Sequence, residues 1–190
     1  MARVLDNRVV DSALDVVRAE PGAAASARAG NKDHVTRRIA TTRFGALEVD
    51  VNLVITFPEG LIGFETCREF VVIRHDDTGA FRWLQSLDNP GVAFPVAEPL
   101  TFRPDYAPTI SDGDARTLRL RRDTPILLFA VVSVPGPDPA TVTANLLAPL
   151  VINGESRQGR QVVIQDDGFT TRHGLIAELG RAATLPATGP

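Results

Sequence analysis

Three histidines, a single cysteine and two pairs of adjacent aspartates are the residues here whose chemistry can be catalytic. His34, His75 and His173 lie far apart in the chain, and none has a partner at metal-ligand spacing. Ordinary structural or surface roles are expected for all three. Ser86 and Ser133 fall in strand-like runs without the Gly-x-Ser-x-Gly elbow that exposes a nucleophile. Cys67 has one basic neighbour, Arg68, and reads as a packed thiol rather than an activated one. Asp76-Asp77 and Asp166-Asp167 sit at turns, where aspartate bonds locally. Adjacent residues at a strand end point to opposite sides, so these carboxylates are poor acid–base pairs. Gly154, Gly159 and Gly168 punctuate turns, and no Gly-Lys-Ser/Thr follows to cradle a phosphate. Asn145 lies between strand-like residues and is expected to be a bonded amide at a bulge or in the interior. LPATG at 185–189 matches a sortase-type pattern, yet only Pro190 follows it, so it is read as coincidence. The residues therefore predict no enzyme, cofactor or metal.

The elements that carry these residues are mostly strands. Leu47, Val49 and Val51 alternate with Glu48 and Asp50, and Leu53, Ile55 and Phe57 prolong the period of two that marks a half-buried strand. Pro58-Glu59-Gly60 ends that run, and Glu65 to Glu69 is a candidate helical turn. Phe70–Ile73 and Phe81–Leu87 read as strands, with a strong turn at Asp88-Asn89-Pro90-Gly91. Pro95 places the strand Val92–Val96 at an edge or bulge. Pro99 to Tyr106 reads as extended, and Ser111 as the cap of a short helix reaching Leu120. Pro125 to Val134 is the most apolar segment and reads as a central strand. Leu147–Asn153 and Gln161–Gln165, joined across Gly154 to Gly159, form a hairpin, and a helical turn is expected over 175–180. About eight closely spaced strands with one or two short helices predict a mostly β protein. The expected form is a small antiparallel β-barrel-like domain.

Residues 43–178 form that single domain. Residues 1–42 are expected to be a disordered tail, because Ala19 to Gly30 is Ala/Gly/Ser-rich and cannot offset the entropy of ordering. Residues 179–190 are expected to fray. The domain carries 12 Arg against 18 Asp and Glu, an acidic balance that argues against direct nucleic-acid binding and suits a basic protein partner. No run approaches the ~20 apolar residues that span a bilayer, and Asp6, Asp11 and Asp15 interrupt any leader-like stretch, so a cytoplasmic protein away from membranes is expected. Leu61 and Phe64, with Glu65, stand in a glycine-flanked turn where full burial is difficult, which marks a partner contact. Phe102, Asp105 and Tyr106 in FRPDY mark a second, as a proline-held strand border, although the alternation of Phe102, Pro104 and Tyr106 favours two of the three being core on one strand face.

TANLLAPLVIN, GRQVVIQDD and TTRHGL, preceded in order by ITFPEGLIGFETCREFVVI, FRWLQSL and FRPDY, resemble the FliW family of flagellar assembly factors. The resemblance covers the chain from about Arg43 to Leu175 and departs at Ile62, where relatives usually carry proline. It implies a compact β-barrel-like fold and a cytoplasmic regulator that binds flagellin and, in competition, the translational repressor CsrA. By that implication, flagellin accumulating before secretion takes the FliW-like protein and releases CsrA to repress flagellin messenger RNA. The residues alone leave a small-ligand-binding or enzymatic barrel as the alternative.

Overall fold

The computed structural model describes residues 3–4, 17–18, 35–74 and 81–178. The expectations for His34, His75, Asp76-Asp77, the 19–30 segment and the chain beyond 178 lie outside those residues.

The described strands, in chain order, are β1 Arg3–Val4, β2 Val17–Arg18, β3 Thr36–Thr41, β4 Gly45–Asp50, β5 Ile55–Thr56, β6 Glu69–Arg74 and β7 Arg82–Ser86. They continue with β8 Ala93–Ala97, β9 Thr109–Ile110, β10 Ile126–Ser133, β11 Thr143–Ala144, β12 Leu150–Asn153, β13 Gly159–Gln161 and β14 His173–Gly174. Two short helices, α1 Pro99–Phe102 and α2 Asp112–Thr117, lie between β8 and β10. The main sheet runs β13-β12-β10-β8-β7-β6-β2, with β5 on β6 and β11 on β10. Its ladders are antiparallel except for the parallel pair β2–β6.

The sheet curls without closing. One isolated parallel bridge, Thr56 to Gln158, joins β5 to the entry of β13, and no ladder follows it. The barrel-like expectation therefore holds for the strands and their pairing but not for full closure.

The pattern of β10 explains where the core sits. Leu127 and Phe129 point into one apolar cluster with Phe57, Phe70, Leu84 and Leu150. Leu128, Ala130 and Val132 point into another with Phe102, Tyr106, Ile110 and Leu118. A strand covered on both faces has to read as a continuous apolar run, and this one does. A third cluster forms on the outer face of β6, where the β3–β4 hairpin lays Ile39, Leu47 and Val49 over Val71 and Ile73.

Several expectations change. The core begins before Arg43: β3 pairs with β4 residue by residue from Thr36↔Asp50 to Thr41↔Gly45. Its signal is faint because Arg37 and Arg38 occupy the strand and only Ile39 and Thr41 are buried. Val17, in the stretch expected to be a free tail, is buried at 7% exposure and pairs with Ile73. The long strand from Leu47 to Phe57 is broken by a 3-10 turn at Val51–Leu53, where the Asp50 carboxylate accepts from the Asn52 N–H at 2.8 Å. Residues 65–66 form a turn and 67–68 run without regular structure into β6, so no helix forms there. Pro95 sits within an interior strand, since β8 pairs with both β7 and β10. The ladder to β10 stops at Val96, one residue short of the proline that has no N–H to give. Pro99 to Phe102 is helical rather than extended, with Pro99 in the first turn, where its missing N–H costs nothing.

Candidate functional site

The turn after β5 builds the most distinctive surface of the described residues. Gly60 takes φ +71°, and a Cβ there would lie 2.6 Å from the Phe64 carbonyl oxygen and the Glu65 Cα, so only glycine lets the chain fold back this tightly. The Gly60 N–H donates to the Phe57 carbonyl at 2.9 Å and the Phe64 N–H to the Leu61 carbonyl at 2.7 Å. The Gln161 amide of β13 clamps the turn from outside. Its Oε1 accepts from the Ile62 N–H at 3.0 Å while its Nε2 donates to the Ala148 carbonyl at 3.2 Å.

Folded this way, the turn splits its side chains. Leu61 goes inward at 3% exposure, and Ile62 and Phe64 stay out at 63% and 39%. The Phe64 ring meets Phe94 edge-on with centroids 4.9 Å apart. Between them and β13 lies a hollow of about 340 Å³ lined by Phe64, Phe94, Val131, Leu147 and Val163, with Asn145 and Thr171 among its polar lining. The Asn145 side-chain oxygen accepts from the Ala148 N–H at 2.9 Å, and the main-chain N–H of Asn145 donates to the Val131 carbonyl at 2.9 Å. A second, more polar hollow opens on the other side of the turn, where Arg160 is held by Glu59 at 2.6 Å and Asp114 at 2.9 Å.

Glu65 is fully exposed. Bonds from its own N–H and then from the Gly63 N–H, at 2.9 Å, hold its carboxyl below the usual carboxylate range, so the turn presents a negative charge at neutral pH.

Of the six expected contact residues, Phe64 and Glu65 stand at the surface of this turn, whereas Leu61 is core, packed into the cluster around Phe57 and Phe70. The structure does not bring Phe102, Asp105 and Tyr106 to an open strand border. Phe102 and Tyr106 are core, at 3% and 2% exposure. The Tyr106 hydroxyl donates to the Leu146 carbonyl at 2.6 Å, and its ring meets Phe169 edge-on. Burial first, and the Asp166 charge second, push its phenol well above the ordinary range. Asp105 stays at the surface but pairs with Arg103 at 2.6 Å. The reason is α1: one helical turn rotates Phe102 inward, where an extended chain would have left it at the rim.

Arg103 also reaches Glu178 at 2.9 Å, and Glu178 meets the Nδ1 of His173 at 3.2 Å while the other ring nitrogen accepts from the Thr170 N–H at 2.7 Å. His173 is thus a clamp on the 170–178 segment. Cys67 is buried and free. Among the described residues no group of acidic, histidine or cysteine side chains is placed to hold a metal. Ile62, Phe94, Leu147 and Val163 were not expected at the surface site. The parity of Gln161-Val162-Val163-Ile164 carried a signal for one of them, since burying Val162 and Ile164 at 2% turns Val163 outward.

A family model for the FliW protein matches residues 38–175. This chain belongs to the FliW family. It is 42% identical over 141 residues to the flagellar assembly factor FliW of Bdellovibrio bacteriovorus, a match covering 74% of this chain and 80% of that one. It is 34% identical to the protein of the same name in Leptospira biflexa, over 74% of this chain and 92% of the other. A crystal structure of the flagellar assembly factor FliW superposes with a TM-score of 0.68 at 30% identity, covering 73% of this chain and 96% of that one. No helix among the described residues is long and apolar enough to cross a membrane.

Proposed function

We propose that the chain is a non-catalytic flagellar assembly factor of the cytoplasm, which binds flagellin and a CsrA-type translational regulator and couples flagellin level to flagellin translation. The observation that carries this reading is the family membership over residues 38–175, joined to a surface suited to protein partners. Ile62, Phe64 and Val163 expose apolar area around one hollow, as a docking surface requires and a lone surface residue does not. The ionised Glu65 beside it, in a domain with more Asp and Glu than Arg, suits partners that are basic, as an RNA-binding regulator must be.

The test is titration calorimetry of the full chain against purified flagellin and against a CsrA-type protein. Both are expected to bind, and binding of neither overturns the reading. Phe64→Ala is expected to weaken partner binding by ~1–2 kcal/mol with little loss of stability. A melting loss with intact affinity of the folded fraction removes Phe64 from the surface.

A further inference from the structure

We infer that the hollow beside the Leu61–Glu65 turn is one half of a strand-addition site, whose occupant is an extended peptide segment with alternating apolar side chains and basic ends. The main-chain register gives the first half of the evidence. Asn153 N–H donates to the Gln158 carbonyl, Val162 N–H to the Pro149 carbonyl, and Ile164 N–H to the Leu147 carbonyl. With Leu150↔Gln161 and Val151↔Arg160 as register partners, residues 158, 160, 162 and 164 turn their main-chain groups toward β12. Gln161 and Val163 turn theirs the other way. At Arg157 that outer side is met by β5: the Thr56 N–H donates to the Arg157 carbonyl at 2.9 Å beside the Thr56–Gln158 bridge. Beyond it the chain of β5 leaves through Pro58 and Gly60, and among the described residues neither the β12–β13 ladder nor any turn or loop bond engages the N–H of Gln161 or Val163. This is the place where the barrel fails to close.

An open border alone is common and is ordinarily guarded by charge or proline. Here it is lined instead by Val163 at 58% exposure, Ile62 and the Phe64–Phe94 pair. A strand laid along Gln161 and Val163 would satisfy their N–H and C=O groups and send alternate side chains toward Phe64, Phe94 and Leu147. A helix in the same hollow would leave those main-chain groups unmet.

Charge selects the ends of the segment. Asp166 and Asp167 follow the border, and Glu65 stands on the turn near Gln161, on the side of the polar hollow, where Arg160 is already held by Glu59 and Asp114; no cation is paired with Asp166, Asp167 or Glu65 among the described residues. Arg172, next to Thr171 on the rim, is the opposing charge. Three carboxylates against one guanidinium favour a basic flank on the incoming strand.

The inference rests on the proposed function only for the identity of its natural partner, so the test uses two probes on the full chain. Val163→Pro removes one outward N–H while sparing the Val162 and Ile164 bonds to β12, and Val163→Thr keeps the N–H and most of the shape. Flagellin affinity is expected to fall by about tenfold or more in Val163→Pro and to stay within about threefold in Val163→Thr. The second probe is the peptide Ac-Arg-Val-Thr-Val-Thr-Val-Arg-amide, titrated into the isotope-labelled chain by NMR. The Gln161 and Val163 amides are expected to shift and gain protection from exchange, and N-methylation of alternate peptide bonds is expected to abolish this. Flagellin binding at wild-type strength to a folded Val163→Pro variant overturns the inference, as does peptide binding that the N-methyl form retains. If the wild-type chain binds no flagellin, the proposed function falls, and the peptide titration alone decides the strand-addition site: no shift at Gln161 and Val163 overturns it.

Discussion

Tyr106 shows how one side chain changes meaning between sequence and structure. As part of FRPDY it reads as a candidate contact; folded, it is a buried bolt whose hydroxyl holds the Leu146 carbonyl at 2.6 Å. Tyr106→Phe leaves that carbonyl without its donor and is expected to cost about 1–3 kcal/mol in denaturant unfolding, with partner affinity of the folded protein unchanged. Its titration has a definite sign. The folded phenol is raised above its unfolded value, so the stabilisation is complete below about pH 10 and declines as pH rises past that point, where the unfolded chain gives up its proton first. Because the chain has one tyrosine, ultraviolet absorbance follows this group alone. Tyrosinate is expected to appear together with loss of the native circular dichroism; ionisation in a still-folded protein would contradict the burial.

At the scale of elements, the β3–β4 hairpin is the part whose contribution is easiest to isolate. Deleting residues 1–42 removes β3 and uncovers Leu47, Val49, Val71 and Ile73, which it covers with Ile39. That deletion is expected to lower stability by ~2 kcal/mol or more, several degrees in Tm, and by more than deletion of residues 1–34, which leaves β3 in place. Equal midpoints for the two truncations would show that β3 adds nothing. The hairpin also marks what composition conceals. The alternation of Leu47 and Val49, the apolar run of β10 and the Gly154–Gly159 break each announce their element, because burial on one face, on both faces, or at a turn imposes its own residue pattern. β3 does not announce itself: two arginines extend from it into solvent, and only Ile39 and Thr41 face inward. Pro95 misleads in the opposite way. It can sit inside the sheet because β10 stops pairing where its N–H is missing, a fact that depends on a strand more than thirty residues later. The turn half of the surface site was legible because glycine flanks two large apolar residues. The other half comes from β8, β10 and the 145–163 region, which only the fold brings alongside.

For the whole molecule, the surplus of acidic groups acts at a distance. With 18 Asp and Glu against 12 Arg over residues 43–178, association with a basic partner is expected to slow as salt rises from low to physiological, while dissociation changes little. Stopped-flow mixing at several ionic strengths measures this, and a flat association rate would remove long-range attraction from the recognition step. The three apolar clusters also divide the molecule by position. The hollow beside the Leu61–Glu65 turn borders the cluster around Phe57, Phe70 and Leu84, while the cluster beneath the β3–β4 hairpin packs on the outer face of β6. Trp83, the chain's one tryptophan, belongs to the latter: Phe44 meets its ring edge-on at 5.9 Å and the Arg43 guanidinium lies 4.0 Å above it. The protein thus carries a native optical probe for a single structural event. Lifting of the hairpin strips the indole of both neighbours and moves its emission to longer wavelength, whereas Phe64→Ala is expected to leave the emission spectrum in place. Intrinsic fluorescence can therefore time the docking of the N-terminal strands during refolding without an added dye.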